Sequence, residues 1–447
     1  VTLDAAQLAL LVSAGKIIGS VVLLALVLAG VTLLSRLAKL DAEVGRKLVH
    51  ISLGLYCLTF PWIFATSWEV AATCALAVGV FALARGAMRS SLGEGLHAVQ
   101  RVSYGEVLFA VSVALLFWLK DGHYIFRAQD KAQLGPVLYV LPILILTLCD
   151  AASALVGSRY GRQKFRIEDG TKSVEGVVAF AMTAWLVSLI AFLLLTDIGR
   201  GEAILLAFIT AIFGALLEAA SWRGLDNLFI PLGLYFLLAN LIYLGVPGLA
   251  AMSALFFIVL LALIYVTHRW GADRHFMAIG ATLFFCIWIF AGPLSLITPL
   301  LALGAYFGCI WFMKVERPRH DGLNMLLVIL AAAMIFFLVS NLGSFDTIYA
   351  YNVAFAALTA AVVAYFGAGA IWVLAAILAA WMGMAVRNLW VEGVREETWM
   401  FAALGLGAIV LAAIAGWRMG RRGLRRPWMA LGGLSVAAGL ALIPASP

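Results

Sequence analysis

The sequence predicts an all-α fold, a polytopic integral membrane bundle of roughly sixteen transmembrane helices with its N-terminus outside. Three observations predict it. The 447 residues are 64% hydrophobic and 12% charged, with a mean hydropathy of +1.05, whereas soluble domains carry about 25% charged residues. Apolar runs of about 18 residues or more recur from end to end, each long enough to cross a hydrocarbon core of about 30 Å as a helix. The runs are continuous rather than alternating, which argues against a closed β-barrel.

In chain order the spans are expected near 17–36, 48–66, 67–85, 104–119, 134–157, 174–196, 203–221, 227–245, 249–267, 276–291, 293–313, 323–342, 348–366, 369–386, 398–416 and 428–444. The first apolar run, KIIGSVVLLALVLAGVTLLS, is too long for a signal-peptide core and lacks a clear cleavage site. It reads as a retained span. Short breaks fall at Pro61, Pro293 and Gly367, and no Ser- or Pro-rich linker divides the chain. Cys57, Cys74, Cys149, Cys286 and Cys309 are scattered through apolar runs without a CxxC, so they indicate neither a metal site nor a disulfide framework.

Charge sets the orientation. With the N-terminus outside, the cytoplasmic loops hold all but seven of the 30 Lys and Arg residues; the exceptions are Lys16, Lys120, Arg127, Lys131, Arg200, Arg387 and Arg395. That is the positive-inside pattern, and it gives an N-out, C-out topology. The formal charge of +7 is explained by it, so no nucleic-acid partner is implied. For a bacterial chain the compartment is the plasma (inner) membrane.

Four polar clusters then face the cytoplasm. RKLVH (46–50) holds Arg46 and Lys47, which read as topology anchors, and His50 one helical turn further on. His50 is a candidate base or hydrogen-bond donor for a lipid hydroxyl, or a packed polar residue. Asp150 ends an apolar run, where an acid is costly without a partner. It can pair with a nearby Arg, or hold Mg²⁺ against nucleotide phosphates. GSRYGRQK (157–164) combines Gly157 and Gly161, which let the backbone approach a ligand, with several cations. Such a basic loop can equally meet anionic headgroups. GTKSVEG (170–176) places Lys172 and Ser173 at a helix start, with Glu175 and Gly176 in its first turn. A helix start suits phosphate, and Ser173 also suits an N-cap. No Walker GxxxxGK[ST] loop is present. In LLEAASWRGLDN, Glu218 closes one span and Asp226 and Asn227 open the next. The pair can cap a helix, or Glu218 and Asp226 can complete a metal site with Asp150.

RKLVH, DAASALVGSRYG, KSVEG and EAASWRGLDNLFIPL, in that order, resemble the CTP-dependent polyprenol kinase family, which includes dolichol kinase, phytol kinase and the CTP-type diacylglycerol kinase. The resemblance covers roughly residues 40–245. It is more distant to the phosphatidate cytidylyltransferases, whose Ser-x-x-Lys-Arg and Lys-Asp signature is missing here. The resemblance implies a phosphotransferase that moves the γ-phosphate of CTP to the hydroxyl of a membrane lipid alcohol, with Mg²⁺ as cofactor. It implies a metal at Asp150, Glu218 and Asp226, and nucleotide contacts from Gly157, Gly161, Lys172, Ser173, Glu175, Gly176 and Asn227. Asp226 is the first candidate for the base, ahead of His50, and Arg46 is a further catalytic candidate. The alcohol stays open: a polyprenol, phytol, a related isoprenoid or diacylglycerol. The alternatives are a CDP-lipid-forming cytidylyltransferase and a transporter or flippase without kinase activity.

The chain is therefore expected to comprise a kinase-like membrane domain at 1–245 and an additional membrane domain at 246–447. The second part carries no equivalent acids. HRWGADRH (268–275) and KVERPRHDG (314–322) read as basic loops, and GWRMGRRGLRRP (416–427) as a topology anchor. This half could shape a lipid-entry path, mediate oligomerisation or carry a separate activity.

Overall fold

The computed structural model describes residues 4–91, 105–120, 131–167, 170–270, 273–315, 319–343, 347–367, 369–392, 398–424 and 427–443. Arg101, Arg127, Arg317, Arg395, Arg425 and Arg426, used above for orientation, lie outside them. The described residues form seventeen α-helices and one two-stranded hairpin. Nine helices are long and apolar enough to cross a membrane, and six shorter ones are also apolar. Together they match fifteen of the expected spans.

The span expected at 48–66 differs. It is split into α2 (Ala42–Cys57), which starts earlier, and the single turn α3 (Phe60–Ile63) with Pro61 in its first turn. α2 is amphipathic because RKLVH puts polar residues on one face, so it is less apolar than its neighbours. Glu69 accepts the backbone N–H groups of Ala65 and Thr66 (3.0 and 3.1 Å), which starts α4 (Ser67–Ser91).

By internal packing the chain divides into two compact units, Val1–Ala278 and Ile279–Pro447. The division falls at 278 rather than at 245, because α10 (Val246–Trp270) packs on α8 (Arg200–Ala220) of the first unit. In that unit α6 (Lys131–Tyr160) is central: it packs on α2, on α7 (Val174–Leu195) and on α9 (Asp226–Leu241). Phenol hydroxyls tie the bundle where backbone carbonyls would lack donors. Tyr139 donates to Cys57 O (2.8 Å) and Tyr235 to the carbonyl of Leu119 (2.9 Å), the last residue of α5 (Gly105–Leu119). α7 instead exposes Val178, Met182, Leu186 and Leu193, an apolar face suited to lipid.

The second unit is built around α14 (Ile348–Tyr365), which is buried almost along its whole length. α16 (Thr398–Arg421) approaches it so closely at Gly416 and Gly420 that a Cβ there would strike the carbonyls of Ala361 and Tyr365. Small residues spaced four apart are the usual way membrane helices make such a contact. Asp321, at the start of α13 (Arg319–Gly343), is buried and accepts from Trp428 Nε1 (2.6 Å) and Tyr306 OH (3.2 Å).

The stretch after α6 departs from the all-helical expectation. Lys164–Ile167 (β1) and Gly170–Ser173 (β2) pair antiparallel, with Phe165 opposite Lys172 and Arg166 opposite Thr171. Alternation along a strand sends successive side chains to opposite faces. Lys164, Arg166 and Thr171 are exposed, while Phe165 and Lys172 are turned inward. The hairpin is what delivers Lys172 to the site.

Candidate active site

Asp150 lies inside α6, ten residues before its last residue, while Glu218 lies in the last turn of α8 and Asp226 opens α9. Each offers one carboxylate oxygen, and these oxygens lie within 4.8 Å of one another. Two lysines pair with the buried acids. Lys47 Nζ lies 2.6 Å from Asp150 Oδ2, and both side chains are less than a tenth exposed. Lys172 Nζ lies 2.8 Å from Glu218 Oε1 and also donates to the Glu218 backbone carbonyl. Burial disfavours the Lys172 ammonium, but Glu218, and then Asp226, outweigh it, so its pKa rises above the ordinary lysine value. Glu218 Oε2 is buried with no partner among the described residues.

Lys47 is the residue that sequence reasoning missed, having taken it for a topology anchor. Lys47, His50 and Gly54 lie three and four apart on α2, and that face meets α6. A Cβ at Gly54 would overlap Thr147, so the two helices touch there. The same face brings His50 in: its Nε2 is 3.6 Å from Asp150 Oδ2 and 3.4 Å from Leu146 O, with the ring edge-on to Phe109. Arg46 points elsewhere. Its Nε and Nη2 bind the Glu43 carboxylate (3.1 and 2.7 Å) on an exposed face, although Asp150 and Asp226 are near enough to favour its charge.

The glycine and cap residues turn out to hold the scaffold. Ser173 caps α7, accepting from Gly176 N at 3.1 Å. A Cβ at Gly176 would meet Ser153 O at 2.9 Å and Gly157 Cα at 3.2 Å. One at Gly161 would meet Ser173 Cβ at 2.6 Å. Gly157, Gly161 and Gly176 are therefore where the end of α6 and the start of α7 press together. Glu175 accepts from Gln163 N (3.0 and 3.2 Å) and clamps the mouth of the hairpin. The α8–α9 turn passes through Arg223 and Gly224, both at positive φ (51° and 84°), and so reverses the chain tightly enough for Glu218 and Asp226 to converge. Asp226 Oδ1 accepts from Asn227 N (3.0 Å), and Asn227 Oδ1 is buried without a partner among the described residues. His275, assigned to a basic loop, is instead buried against the end of α8, its Nε2 3.0 Å from Ala220 O.

The sequence matches the Cytidylyltransferase family over residues 5–224. It is similar to the phytol kinase of Synechocystis sp. (strain ATCC 27184 / PCC 6803 / Kazusa), 34% identical over 221 residues, which is 49% of this chain and 86% of that protein. No solved structure matches it. The relative is matched over most of its length, and the four motifs of the resemblance converge on one place. The chain thus belongs to the CTP-dependent polyprenol and phytol kinase family, the membrane-embedded lipid-alcohol kinases.

Proposed function

We propose that this protein transfers the γ-phosphate of CTP to the hydroxyl of an isoprenoid lipid alcohol, of the phytol or polyprenol type, at the cytoplasmic face of the membrane. The observation that carries the proposal is the meeting of three carboxylates from α6, α8 and α9, flanked by Lys47 and Lys172. Phosphoryl transfer needs positioning, positive charge on the phosphates and a group that orients the attacking hydroxyl. The cationic loops around the site support the cytoplasmic assignment, and the activity named for the similar protein supports an isoprenoid acceptor.

The donor set fits Mg²⁺. It is all carboxylate oxygen, the class of ligand that hard cations take, and the buried Glu218 Oε2 has no donor among the described residues. Asp150, Glu218 and Asp226 would hold the ion, which when bound neutralises charge on the phosphate oxygens. Lys47 and Lys172 supply fixed positive charge beside the same oxygens. Ser173, Glu175 and the three glycines keep the α7 start and the hairpin in place. Asn227 Oδ1 offers an acceptor to the nucleotide.

In the reaction the lipid oxygen bonds to the γ-phosphorus, the bond from that phosphorus to the β-phosphate oxygen breaks, and CDP leaves. We assign the hydroxyl proton to Asp226, with His50 next in reach; Asp226→Asn and His50→Gln separate the two roles. The test is label transfer by the purified full chain with Mg²⁺, γ-labelled CTP and a panel of phytol, geranylgeraniol, farnesol, undecaprenol, dolichol and diacylglycerol. Label is expected in an isoprenoid alcohol and absent with Asp150→Asn. Label in no alcohol would sink the proposal.

A further inference from the structure

The end of α8 carries Glu218, and its last turn is tied by groups from outside the helix. The final carbonyls of a helix have no intrahelical donors. Leu217 O accepts from Ser221 N and Oγ (3.1 and 2.7 Å), and Glu218 O from Ser221 N (3.3 Å) and Lys172. Ala220 O is met by His275 Nε2 at 3.0 Å. A carbonyl only accepts, so Nε2 carries the proton. The ring is 1% exposed and stands edge-on to Trp222, with centroids 5.6 Å apart. Its backbone is fixed in turn: Asp273 Oδ1 accepts from His275 N (2.9 Å) and Asp273 O from Met277 N (3.0 Å), an N-cap for α11 (Arg274–Ala291). Arg274 next to it reaches Gln163 Oε1 across an exposed 3.4 Å, so the buried histidine carries the argument.

We propose that His275 is a positioning residue for the carboxylate cluster. It lies beyond residues 5–224, the stretch matched by the family. By capping Ala220 it fixes the height and rotation of the last turn of α8, and so the place of Glu218 two residues earlier. The inference rests on reading Glu218 as a cation ligand of the proposed kinase site. A partner that orients a ligand typically changes metal affinity by about 10–100-fold when lost.

The test is Mn²⁺ titration of the purified full chain, followed by the electron paramagnetic resonance of free Mn²⁺, with melting temperature and kinase rate measured alongside. Glu218→Gln is the reference variant. His275→Phe keeps the ring and removes the donor; its Mn²⁺ dissociation constant should rise about tenfold. Its half-saturating Mg²⁺ in the kinase assay should rise in parallel, with kcat at saturating Mg²⁺ changing less. His275→Gln, which retains an N–H, should restore most of the affinity. Asp273→Ala, which loosens α11 from a distance, gives a milder second variant and should weaken Mn²⁺ about threefold. The inference is overturned if His275→Phe binds Mn²⁺ like wild type, if Gln rescues no better than Phe, or if wild type binds no Mn²⁺. If His275→Phe fails to fold, an unchanged Mn²⁺ affinity in Asp273→Ala overturns it alone. A wild type that binds Mn²⁺ but phosphorylates no alcohol refutes the kinase reading and leaves the His275 result decisive, since the resonance signal needs no turnover.

Discussion

Replacing Lys47 by Met removes the ammonium and keeps most of the stem. Asp150 then stays buried, with its 2.6 Å partner gone and His50 3.6 Å away as the nearest substitute. Breaking a buried pair by removing one member costs about 3–5 kcal/mol, because the remaining charge is uncompensated. At about 2 °C per kcal/mol for a unit of this size, the melting temperature should fall by about 6–10 °C. The assay is thermal unfolding in detergent, followed by tryptophan fluorescence. Lys47→Met/Asp150→Leu removes both charges and should return to within about 1 kcal/mol of wild type, while phosphoryl transfer stays abolished. A fall below about 2 °C in the single variant would refute the reasoning, as would a double variant no more stable than the single.

Other outcomes follow from the same geometry. Gly176→Ala places a methyl 2.9 Å from Ser153 O and should cost about 1–3 kcal/mol by forcing α6 and α7 apart, read as a lower melting temperature. Ser173→Ala removes the cap of α7 and should cost about 1 kcal/mol, with Ser173→Thr recovering most of it. Arg46→Ala breaks an exposed pair and should change stability by less than about 1 kcal/mol, whatever it does to turnover. The Lys172 pKa lies above the ordinary 10.5, so its contribution is complete below that value and is lost as pH rises through the higher folded pKa. The stability difference between wild type and Lys172→Met should therefore stay constant from about pH 6 to 9 in melting experiments.

The helical architecture is legible because length and continuity of apolar runs are one-dimensional signals. The expectation at 48–66 differs from α2 because Lys47 and His50 turn toward Asp150 of α6, which gives α2 a polar face that a plain apolar span lacks. The acids Asp150, Glu218 and Asp226 were legible as a group because a carboxylate in or beside an apolar run needs a partner, and three on one side imply a shared one. Lys47 was not, since a cation next to a span has a ready explanation as a topology anchor. The hairpin hides behind its length: KFRI alternates, but four residues are too few to stand against a basic loop. In the sequence Gly157, Gly161 and Gly176 read as letting the backbone approach a ligand, and the structure adds a packing role. They make room for α7 against α6, a fact that needs the two helices side by side. His275 left no signal, because its partner is the carbonyl of an alanine 55 residues earlier.

The central claim is the bond that breaks in CTP. The most direct measurement supplies two CTP samples, one labelled in the γ-phosphate and one in the cytosine ring, to the purified chain with its preferred lipid alcohol, and follows both labels into lipid. The account predicts γ-label in the lipid, none from cytosine, and CDP released in equal amount to phosphorylated lipid. Cytosine label in the lipid with release of pyrophosphate would contradict it and assign the site to cytidylyl transfer.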